Sequence, residues 1–397
     1  MNEFLTSYLG GIIPVAFRIQ SGEESMIVGR DRPEFTVTLN EDLDKKELLT
    51  STSLALGEAY MKEELEVDRD LYEVLNLFLG QMGKFKTDKS ALKKLILTSK
   101  AKKNQEKEVR SHYDIGNEFY RLWLDETMSY SCGYFKNAED TLYDAQVNKA
   151  DHILEKLQLQ EGMTLLDIGC GWGFLLMRAA KKYGIKGTGI TLSKEQYQKF
   201  SEDIEREGLK DCLQVELMDY RDLKHSGAQF DRVVSVGMLE HVGRGNYELF
   251  MENAEAVLKP EGLFLLHYIS AQKEHEGDPW IKKYIFPGGT IPSLREIIDI
   301  LPEYEFHVLD IESLRRHYNR TLLCWRENFL KHREEIARMQ GEEFTRMWEL
   351  YLASCAATFN NGIIDLHQIL VSKGIQGTTL LPSQLLHKKQ ALKEQKT

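Results

Sequence analysis

Residues 163–183 read MTLLDIGCGWGFLLMRAAKKY, and the pattern of this stretch decides the fold. Apolar Leu165 and Leu166 lead into Asp167, glycines follow at every second position, and an apolar helical run begins directly after them. This order predicts a strand, a tight turn and a helix. Glycine suits such a turn because it adopts backbone angles that other residues resist, and its missing side chain lets a ligand lie against the main chain. The glycines are Gly169, Gly171 and Gly173.

The spacing of these glycines separates the turn from two commoner nucleotide-binding loops. A dinucleotide fingerprint reads G-x-G-x-x-G, with an acidic residue at the end of the next strand about 20 residues on. Here the spacing is G-x-G-x-G, and the next strand, predicted over residues 186–192, ends in Thr191 and Leu192. The sequence also contains no G-x-x-x-x-G-K-[ST] loop, which would cradle phosphate groups.

The acidic residue of the turn, Asp167, comes before the glycines. A carboxylate at this place suits a ligand that carries positive charge, such as an amino-acid ammonium next to a sulfonium. The stretch therefore indicates S-adenosylmethionine as the cofactor. The alternative is an ordinary α/β turn that binds no ligand, because motif matches carry false positives.

The chain after the turn alternates strands and helices, which predicts an α/β fold. Strands are predicted over residues 186–192, 213–217, 230–236 and 263–269, and helices from Ser193 onward and over 247–258. Ser193 and Gln196 fit a reciprocal capping box at the start of the first of these helices.

Charged and polar residues stand where several of these strands end. Ligands of open α/β sheets collect at the carboxyl edge of the strands, so these residues are expected to converge there. They are Asp167, Asp219, Glu240 and His267. Asp219 would accept a hydrogen bond from the exocyclic amine of adenine. For His267 alone, a core histidine with satisfied hydrogen bonds is the alternative.

Composition divides the chain into three parts. Residues 1–83 combine alternating strand patterns with helical ones and predict a small α+β domain. Residues 84–110 carry ten basic side chains against three acidic ones, a surplus of seven, with apolar residues between them. This basic segment fits either an amphipathic stretch attracted to anionic lipid or a solvated linker. Residues 111–397 contain the glycine turn and form the predicted catalytic domain.

Charge and cysteine content narrow the class of protein. The net charge of -11 over 397 residues argues against a nucleic-acid-binding protein, because phosphate backbones are held by surplus Lys and Arg. The five cysteines include no C-x-x-C pair and are odd in number, which is typical of free thiols in a reducing cytosol, and no metal site is predicted. Residues 1–17 do not resemble a signal peptide, and no run reaches the roughly 18–20 apolar residues of a membrane span. Any work at a membrane is expected from one surface.

Two segments near the predicted sheet edge are rich in aromatic residues. Residues 111–146 precede the glycine turn, and their rings are expected to close over a sulfonium, since aromatic faces attract cations. Those rings include Tyr113, Tyr120, Tyr130 and Tyr134, whereas Phe119 and Trp123 fit a plain core. Residues 271–293 mix Pro, Gly, Lys and aromatic residues and predict a lid or substrate mouth. Its apolar side chains were expected on a lipid-facing surface, and they are Trp280, Ile281, Tyr284, Ile285 and Phe286.

Short blocks along nearly the whole chain resemble bacterial cyclopropane-fatty-acyl-phospholipid synthases. The blocks are HYDIGNEFY, SYSCGYF, LLDIGCGWGF, GITLSKEQ, DYRD, GMLEHVG, LLHYI and HYNRTLLCW. The resemblance implies a Rossmann-like class I methyltransferase sheet with helices on both faces, a small N-terminal α+β domain that engages the membrane, and a homodimer. It also implies a cytoplasmic enzyme associated peripherally with the inner face of the membrane, with unsaturated phospholipid as its substrate. One departure is Phe174, where many members carry a small residue.

The chemistry of cyclopropanation makes definite demands on a site. An isolated cis double bond is a weak nucleophile, so it needs a strong electrophile such as a sulfonium methyl group. Attack gives a carbocation on the acyl chain, and the pocket must exclude water from it. A base must then remove a proton from the transferred methyl group so that the ring closes. This route needs no covalent enzyme intermediate, which argues against Cys355 as a nucleophile although it stays among the candidate catalytic residues.

The resemblance also implies the residues of the site. The base is expected to be a bound bicarbonate held by residues that match Cys132, Glu240, His267, Tyr318 and the backbone of Ile269. Glu240 would then be protonated or share a proton with the anion, because two adjacent anions repel each other. The expected cofactor contacts are Tyr130, Ser131, Asp167, Gly169, Gly171, Gly173, Thr191, Leu192, Gln196 and Asp219.

Two other functions fit the same residues. One is a transferase that methylates a nitrogen, an oxygen or a chain carbon without ring closure. The other is a non-catalytic lipid-binding protein that uses the basic segment, although the intact glycine turn argues against it.

Overall fold

The computed structural model describes residues 15–29, 31–43, 45–82 and 115–375. The basic segment 84–110 and Tyr113 lie outside the described residues, as do the first residues of the chain. Within the described ranges, no helix has both the length and the apolar character needed to cross a membrane.

The described residues of the N-terminal part form a small sheet with three helices beside it. Its strands are β1 (Phe17–Ser21), β2 (Glu24–Val28), β3 (Thr36–Leu39) and β4 (Leu65–Val67), and its helices are α1 (Lys45–Thr50), α2 (Thr52–Met61) and α3 (Leu71–Met82). The four-stranded sheet has the order β2-β1-β3-β4, with β1 and β3 parallel and the two outer pairs antiparallel. Phe17 and Phe35 stack in its core with ring centroids 5.3 Å apart.

The larger part is built on a seven-stranded sheet. Its strands are β5 (Thr164–Ile168), β6 (Lys186–Thr191), β7 (Leu213–Leu217), β8 (Phe230–Val236), β9 (Leu258–Ala271), β10 (Phe306–Ser313) and β11 (Ile364–Lys373). Their order is β10-β11-β9-β8-β5-β6-β7, in which β5 to β9 are parallel and β10 and β11 are antiparallel to their neighbours. This is the class I methyltransferase sheet that was expected.

Helices cover both faces of this sheet. In chain order, the helices up to β9 are α4 (Asn117–Arg121), α5 (Leu142–Lys156), α6 (Phe174–Tyr183), α7 (Lys194–Arg206), α8 (Leu239–Val242) and α9 (Tyr247–Val257). The helices after β9 are α10 (Pro279–Tyr284), α11 (Leu294–Ile300), α12 (Arg315–Lys331), α13 (Arg333–Gln340) and α14 (Glu342–Asn360). Short 3₁₀ turns lie at Tyr220–His225, Arg244–Asn246 and Leu301–Tyr304.

The central strands are buried on both sides, which explains their continuous apolar sequence. Leu165 of β5 belongs to the apolar cluster on one face, and Leu166 belongs to the cluster on the other. Because side chains alternate along a strand, this one strand joins both cores and fixes the glycine turn that follows it.

The two parts of the chain pack against each other through one aromatic cluster. Tyr60 and Met61 of α2 share this cluster with Trp280 of α10 and Trp348 of α14. The buried Arg346 donates from Nε to the carbonyl oxygen of Tyr60 at 2.6 Å. The guanidinium carbon also lies 4.1 Å from the centre of the Tyr60 ring, so α14 is held directly against α2.

Some sequence-based boundaries were wrong. The sequence pattern predicts one long helix over residues 321–339, but the structure has α12 from Arg315 and a separate α13 from Arg333, with non-helical angles at His332 between them. The strand expected over 263–269 runs from Leu258 to Ala271, because β8 pairs with it from Leu258 and β11 pairs with it as far as Ala271.

Candidate active site

The glycine turn has the backbone that its sequence predicted. Gly169, Gly171 and Gly173 have φ angles of 86°, 56° and 86°, in the left-handed region that favours glycine. A Cβ at Gly173 would run into the ring of Phe200, whereas a Cβ at Gly171 would meet nothing within 4 Å. Gly173 is therefore needed for packing, and Gly171 leaves the main chain open to a ligand.

A cleft opens at this turn, with about 1020 Å³ of empty space when its mouth is included. Nine of the ten expected cofactor residues line it, and they are Tyr130, Ser131, Asp167, Gly169, Gly171, Gly173, Thr191, Leu192 and Gln196. The walls also contain residues that were not expected from the sequence, among them Lys149, Trp172, Tyr220, Met238 and His241.

Asp219 is the one expected cofactor residue that the structure leaves out of the cleft wall. Its Oδ1 and Oδ2 accept from Nε and a terminal nitrogen of Arg221, at 2.9 and 2.7 Å. Oδ1 also accepts from the backbone N–H of Arg221 and so caps the 3₁₀ turn. Arg221 lies only two residues from Asp219, and this basic neighbour is the signal in the sequence for the pair.

The start of α7 differs in one detail from the expected reciprocal capping box. Ser193 accepts from the backbone N–H of Gln196 at 3.3 Å, as expected. The Gln196 side chain does not return to the cap; instead its Oε1 accepts from the hydroxyl of Thr191 at 2.8 Å. Two cleft residues from different elements are thereby fixed to each other.

Two oppositely charged residues are buried in the same wall of the cleft. Asp167 is 2% exposed, its Oδ1 has no hydrogen-bond partner within the described chain, and burial raises the pKa of this carboxyl to about 7. Lys149 is 5% exposed, and burial lowers the pKa of its ammonium to about 8. Its Nζ donates to Oγ of Ser131 at 3.0 Å. One sequence signal was available, because Lys149 occupies a core-facing position of α5 in line with Leu142 and Ile153.

Glu240 lies where β8 ends, at the start of α8. Its Oε1 accepts from the backbone N–H of Ile269 in β9 at 2.6 Å. Its Oε2 is buried without a hydrogen-bond partner in the described part of the chain. Burial raises the pKa of this carboxyl to about 7, so it exchanges a proton close to neutral pH.

His267 lies two residues before Ile269 on the same strand and is 1% exposed. Its Nδ1 is 3.2 Å from the side-chain nitrogen of Gln368 in β11. With the Gln368 amide in this orientation its nitrogen donates, so Nδ1 accepts and the neutral ring carries its proton on Nε2. Nε2 is buried and has no partner among the described residues, and burial lowers the pKa of the ring to about 3. Within the described residues, one ring nitrogen of His267 has a hydrogen-bond partner and the other does not.

Tyr318 lies within electrostatic range of both Cys132 and Glu240. Cys132 is fully buried, and its Sγ lies 3.2 Å from the carbonyl oxygen of Gly133, to which the thiol donates. The pKa of Tyr318 is raised well above its ordinary value, mainly by burial and further by Tyr351, Cys132 and Glu240. These electrostatic couplings bring expected catalytic residues from four separate segments into one neighbourhood.

Cys355 lies on α14 near the same group but is not prepared as a nucleophile. Burial raises the pKa of its thiol to about 12, so the thiol stays protonated at neutral pH. Because the thiolate is the reactive form of cysteine, this agrees with the reasoning that no covalent intermediate is needed.

The aromatic segment before the turn divides into a core and a cleft wall. Phe119 and Trp123 are 1% and 0% exposed and form plain core, as expected. Tyr130 lines the cleft, and its hydroxyl is 2.7 Å from the hydroxyl of Tyr351 on α14. Tyr134 instead stacks on His152, with ring centroids 4.2 Å apart.

The insertion 271–293 does not present an open apolar face. Trp280 and Ile285 are 3% and 1% exposed, because α10 packs on α2 and the Trp280 ring fills the space above Gly57. The expectation that these two residues face lipid was wrong. Phe286 reaches the site, since its ring lies 5.9 Å from that of His241.

Comparison with known proteins shows which family has this arrangement. The family model for mycolic acid cyclopropane synthetase matches residues 100–369. The chain belongs to this family. A domain of unknown function (DUF7884) matches residues 7–90.

The chain is similar to two bacterial proteins over most of their length. The cyclopropane-fatty-acyl-phospholipid synthase of Escherichia coli strain K12 is 42% identical over 337 residues, which are 83% of this chain and 86% of that protein. A probable fatty acid methyltransferase of Pseudomonas putida is 39% identical over 348 residues, 86% of this chain and 88% of that protein.

Solved structures of the family resemble the larger part of the fold. The cyclopropane synthase MmaA2 from Mycobacterium tuberculosis has a TM-score of 0.64 at 34% identity, covering 70% of this chain and 99% of that one. The mycolic acid cyclopropane synthase CmaA1, complexed with SAH and CTAB, has a TM-score of 0.63 at 35% identity, covering 68% and 98%.

Proposed function

We propose that this chain is a cyclopropane-fatty-acyl-phospholipid synthase. It transfers a methylene from S-adenosylmethionine to the cis double bond of an unsaturated phospholipid acyl chain, through a carbocation deprotonated by a bound bicarbonate. The products are the cyclopropane fatty acyl phospholipid and S-adenosylhomocysteine. The observation that carries the proposal is the joining of two features: a cleft at the glycine turn, and the buried, partly unpartnered Glu240 and His267, of which Glu240 directly precedes the cleft residue His241.

The cleft residues fit S-adenosylmethionine. The open face of Gly171 admits the ligand against the main chain, and the unpartnered Oδ1 of Asp167 would accept from an ammonium. Thr191 and Gln196 lie, fixed to each other, at the end of β6, where the resemblance puts the ribose contacts. A relative whose structure was solved with SAH supports the same ligand class.

The group around Glu240 fits a small anion such as bicarbonate. The proton on Nε2 of His267 and the proton that Glu240 keeps up to a pKa of about 7 give two donors whose atoms have no partner within the described residues. A protonated Glu240 also avoids repulsion between two adjacent anions. Bound S-adenosylmethionine would supply an electrophilic methyl group, and bound bicarbonate a base of nearly neutral pKa.

The walls near this group would keep water away from a carbocation. Trp123, Tyr318 and Trp325 are buried; Trp123 packs edge to face on Tyr130, the ring centroid of Trp325 lies 5.3 Å from that of Tyr130, and Tyr318 packs edge to face on Trp325. Such rings offer no nucleophilic lone pair except the hydroxyls, and the pKa of Tyr318 is raised far enough to keep its hydroxyl protonated. Their faces also attract positive charge.

The relatives support phospholipid as the substrate. The E. coli relative, named for a phospholipid product, matches 83% of this chain, while the mycolic acid relative MmaA2 matches 67%. We propose that residues 1–83 engage the lipid surface, that the basic segment 84–110 links them to the catalytic domain 111–397, and that the enzyme works as a homodimer at the inner face of the membrane.

A direct test is to incubate the full chain with S-adenosylmethionine and vesicles of cis-monounsaturated phospholipid, then to analyse the acyl chains by mass spectrometry and proton NMR. Cyclopropane ring protons should replace olefinic ones, and vesicles of saturated phospholipid should give no product. Acyl chains that keep all their olefinic signals would rule the function out.

The role of Glu240 has its own test. Glu240→Gln should lower turnover by about 100-fold or more, a typical contribution of proton-transfer catalysis, and leave S-adenosylhomocysteine affinity within about threefold. Glu303→Gln, at an exposed residue, is the control for loss of one carboxylate. Equal losses of turnover and cofactor affinity would contradict the assignment.

A second candidate function is methylation of a fatty acyl chain without ring closure. The name of the P. putida relative, a probable fatty acid methyltransferase, favours it. The same product analysis decides between the two, because a branched methyl signal would then appear in place of ring protons.

A further inference from the structure

Lys149 is a buried cation that is not among the site residues predicted from the sequence. It lies on α5, lines the cleft and is 5% exposed. The one hydrogen bond of its Nζ within the described residues goes to Oγ of Ser131, at 3.0 Å. A hydroxyl accepts a hydrogen bond but does not neutralise the charge, and a buried charge is costly unless it is paired.

Asp167 is its counterpart in the same wall. Among the nearby carboxylates, Asp125 favours the charged form of Lys149 most; Asp167 and Lys149 also shift the pKa of each other towards the charged form. They form no direct ion pair, because Oδ1 of Asp167 has no hydrogen-bond partner in the described chain and Nζ of Lys149 faces Ser131. The cleft therefore offers one anionic and one cationic group that remain available to a ligand.

We propose that Lys149 binds the carboxylate of the methionine part of S-adenosylmethionine, while Asp167 accepts from its ammonium. An α-amino acid carries both charges a few ångströms apart, so one zwitterion satisfies both buried groups at once. The assignment rests on the proposed function, and it adds a carboxylate-binding residue to the cofactor site.

Hydrogen bonds next to Lys149 join its helix to the segment that carries Ser131. Gln146, one turn earlier on α5, donates from Nε2 to the carbonyl oxygens of Ser129 and Ser131, at 3.2 and 2.9 Å. These bonds attach the segment that carries Ser131 to the helix that carries Lys149. The carboxylate of the ligand would thus meet the ammonium of Lys149 and the hydroxyl of Ser131 as adjacent donors.

The test compares three adenosyl ligands by isothermal titration calorimetry on the full chain. S-adenosylhomocysteine has the ammonium and the carboxylate, its decarboxylated analogue has only the ammonium, and 5′-methylthioadenosine has neither. Lys149→Met should weaken S-adenosylhomocysteine about 10- to 100-fold, the range of a charge-assisted hydrogen bond, and leave the other two within about threefold. Asp167→Asn should weaken both amine-bearing ligands and spare 5′-methylthioadenosine.

A matched control is Lys156→Met. Lys156 lies seven residues further along α5, is 3% exposed, and pairs with Glu312 at 2.6 Å. This variant removes an equally buried cation and should leave all three affinities within about threefold of the wild type. Circular dichroism compares the folding of the variants. The wild type alone provides a further measure, since it should prefer S-adenosylhomocysteine over the decarboxylated analogue by about tenfold or more.

Each outcome decides the matter. Equal weakening of all three ligands in Lys149→Met would mean that Lys149 only shapes the cleft, and no weakening would mean that it does not touch the ligand; either result overturns the assignment. So does a wild type that binds the decarboxylated analogue as tightly as S-adenosylhomocysteine. A wild type that binds no adenosyl ligand would instead overturn the proposed function itself, and the assignment would fall with it.

Discussion

Replacement of Glu240 by Gln should change the pH dependence of stability in a defined direction. In the folded chain the pKa of Glu240 is raised from 4.5 to about 7 because the carboxyl is buried. Below pH 4.5 the group is protonated in both the folded and the unfolded chain, so it adds no penalty. Between pH 4.5 and 7 the unfolded chain loses the proton and the folded chain keeps it, so the free energy of unfolding falls as the pH rises.

The size of this effect follows from the two pKa values. Each pH unit between 4.5 and about 7 removes about 1.4 kcal/mol, so the wild type loses at most about 3 kcal/mol by pH 8. Gln cannot ionise, and Glu240→Gln should escape this loss. The variant should therefore match the wild type closely near pH 4.5 and exceed it by up to about 3 kcal/mol at pH 8.

The assay is urea unfolding of both proteins, without cofactor, at several pH values from 4.5 to 8. All other groups, including Asp167 and His267, titrate in both proteins, so their effects cancel in the difference between variant and wild type at each pH. Glu303→Gln, at an exposed residue, is the charge control. A difference that stays constant within about 1 kcal/mol across the range would refute the reasoning that Glu240 is buried with its proton.

Three further predictions concern the glycine turn, the contact between the two parts of the chain, and the thiol of Cys355. Gly173→Ala should lower the free energy of unfolding by about 2 kcal/mol or more in urea and weaken S-adenosylhomocysteine, because a Cβ would strike Phe200 at a positive φ. Arg346→Met should cost about 1–3 kcal/mol and speed limited proteolysis of the N-terminal part, since the carbonyl of Tyr60 loses its donor. Cys355→Ser should keep turnover within about threefold, and the wild-type thiol should react slowly with iodoacetamide at pH 8 because its pKa is raised to about 12.

Matched variants separate these effects from nonspecific destabilisation of the fold. Gly208→Ala also forces a side chain onto a positive φ but meets nothing within 4 Å, so it should cost less than the change at Gly173. Arg295→Met, at a side chain that is 70% exposed, should leave proteolysis of the N-terminal part unchanged. Turnover reduced about 100-fold by Cys355→Ser would contradict the passive role of that thiol.

The sequence by itself determined the scaffold of the site. The glycine turn, the strand before it and the helix after it follow from local backbone requirements, and β8 lies over residues 230–236 as its pattern predicted. The same patterns predicted that Asp167, Glu240 and His267 collect at the carboxyl edge of the sheet, since the carboxyl ends of parallel strands meet there, although His267 lies inside β9 because that strand continues to Ala271.

Only the tertiary structure decided which of these groups are paired and which are left for a ligand. Lys149 lines the cleft from α5, which comes before β5 in the chain, and Trp280 is buried by α2, more than 200 residues earlier in the chain. A local pattern records whether a side chain is apolar or charged, but not which distant element will cover it. Burial and pairing with distant segments set the proton affinities of Glu240, His267 and Tyr318, and therefore the chemistry of the site.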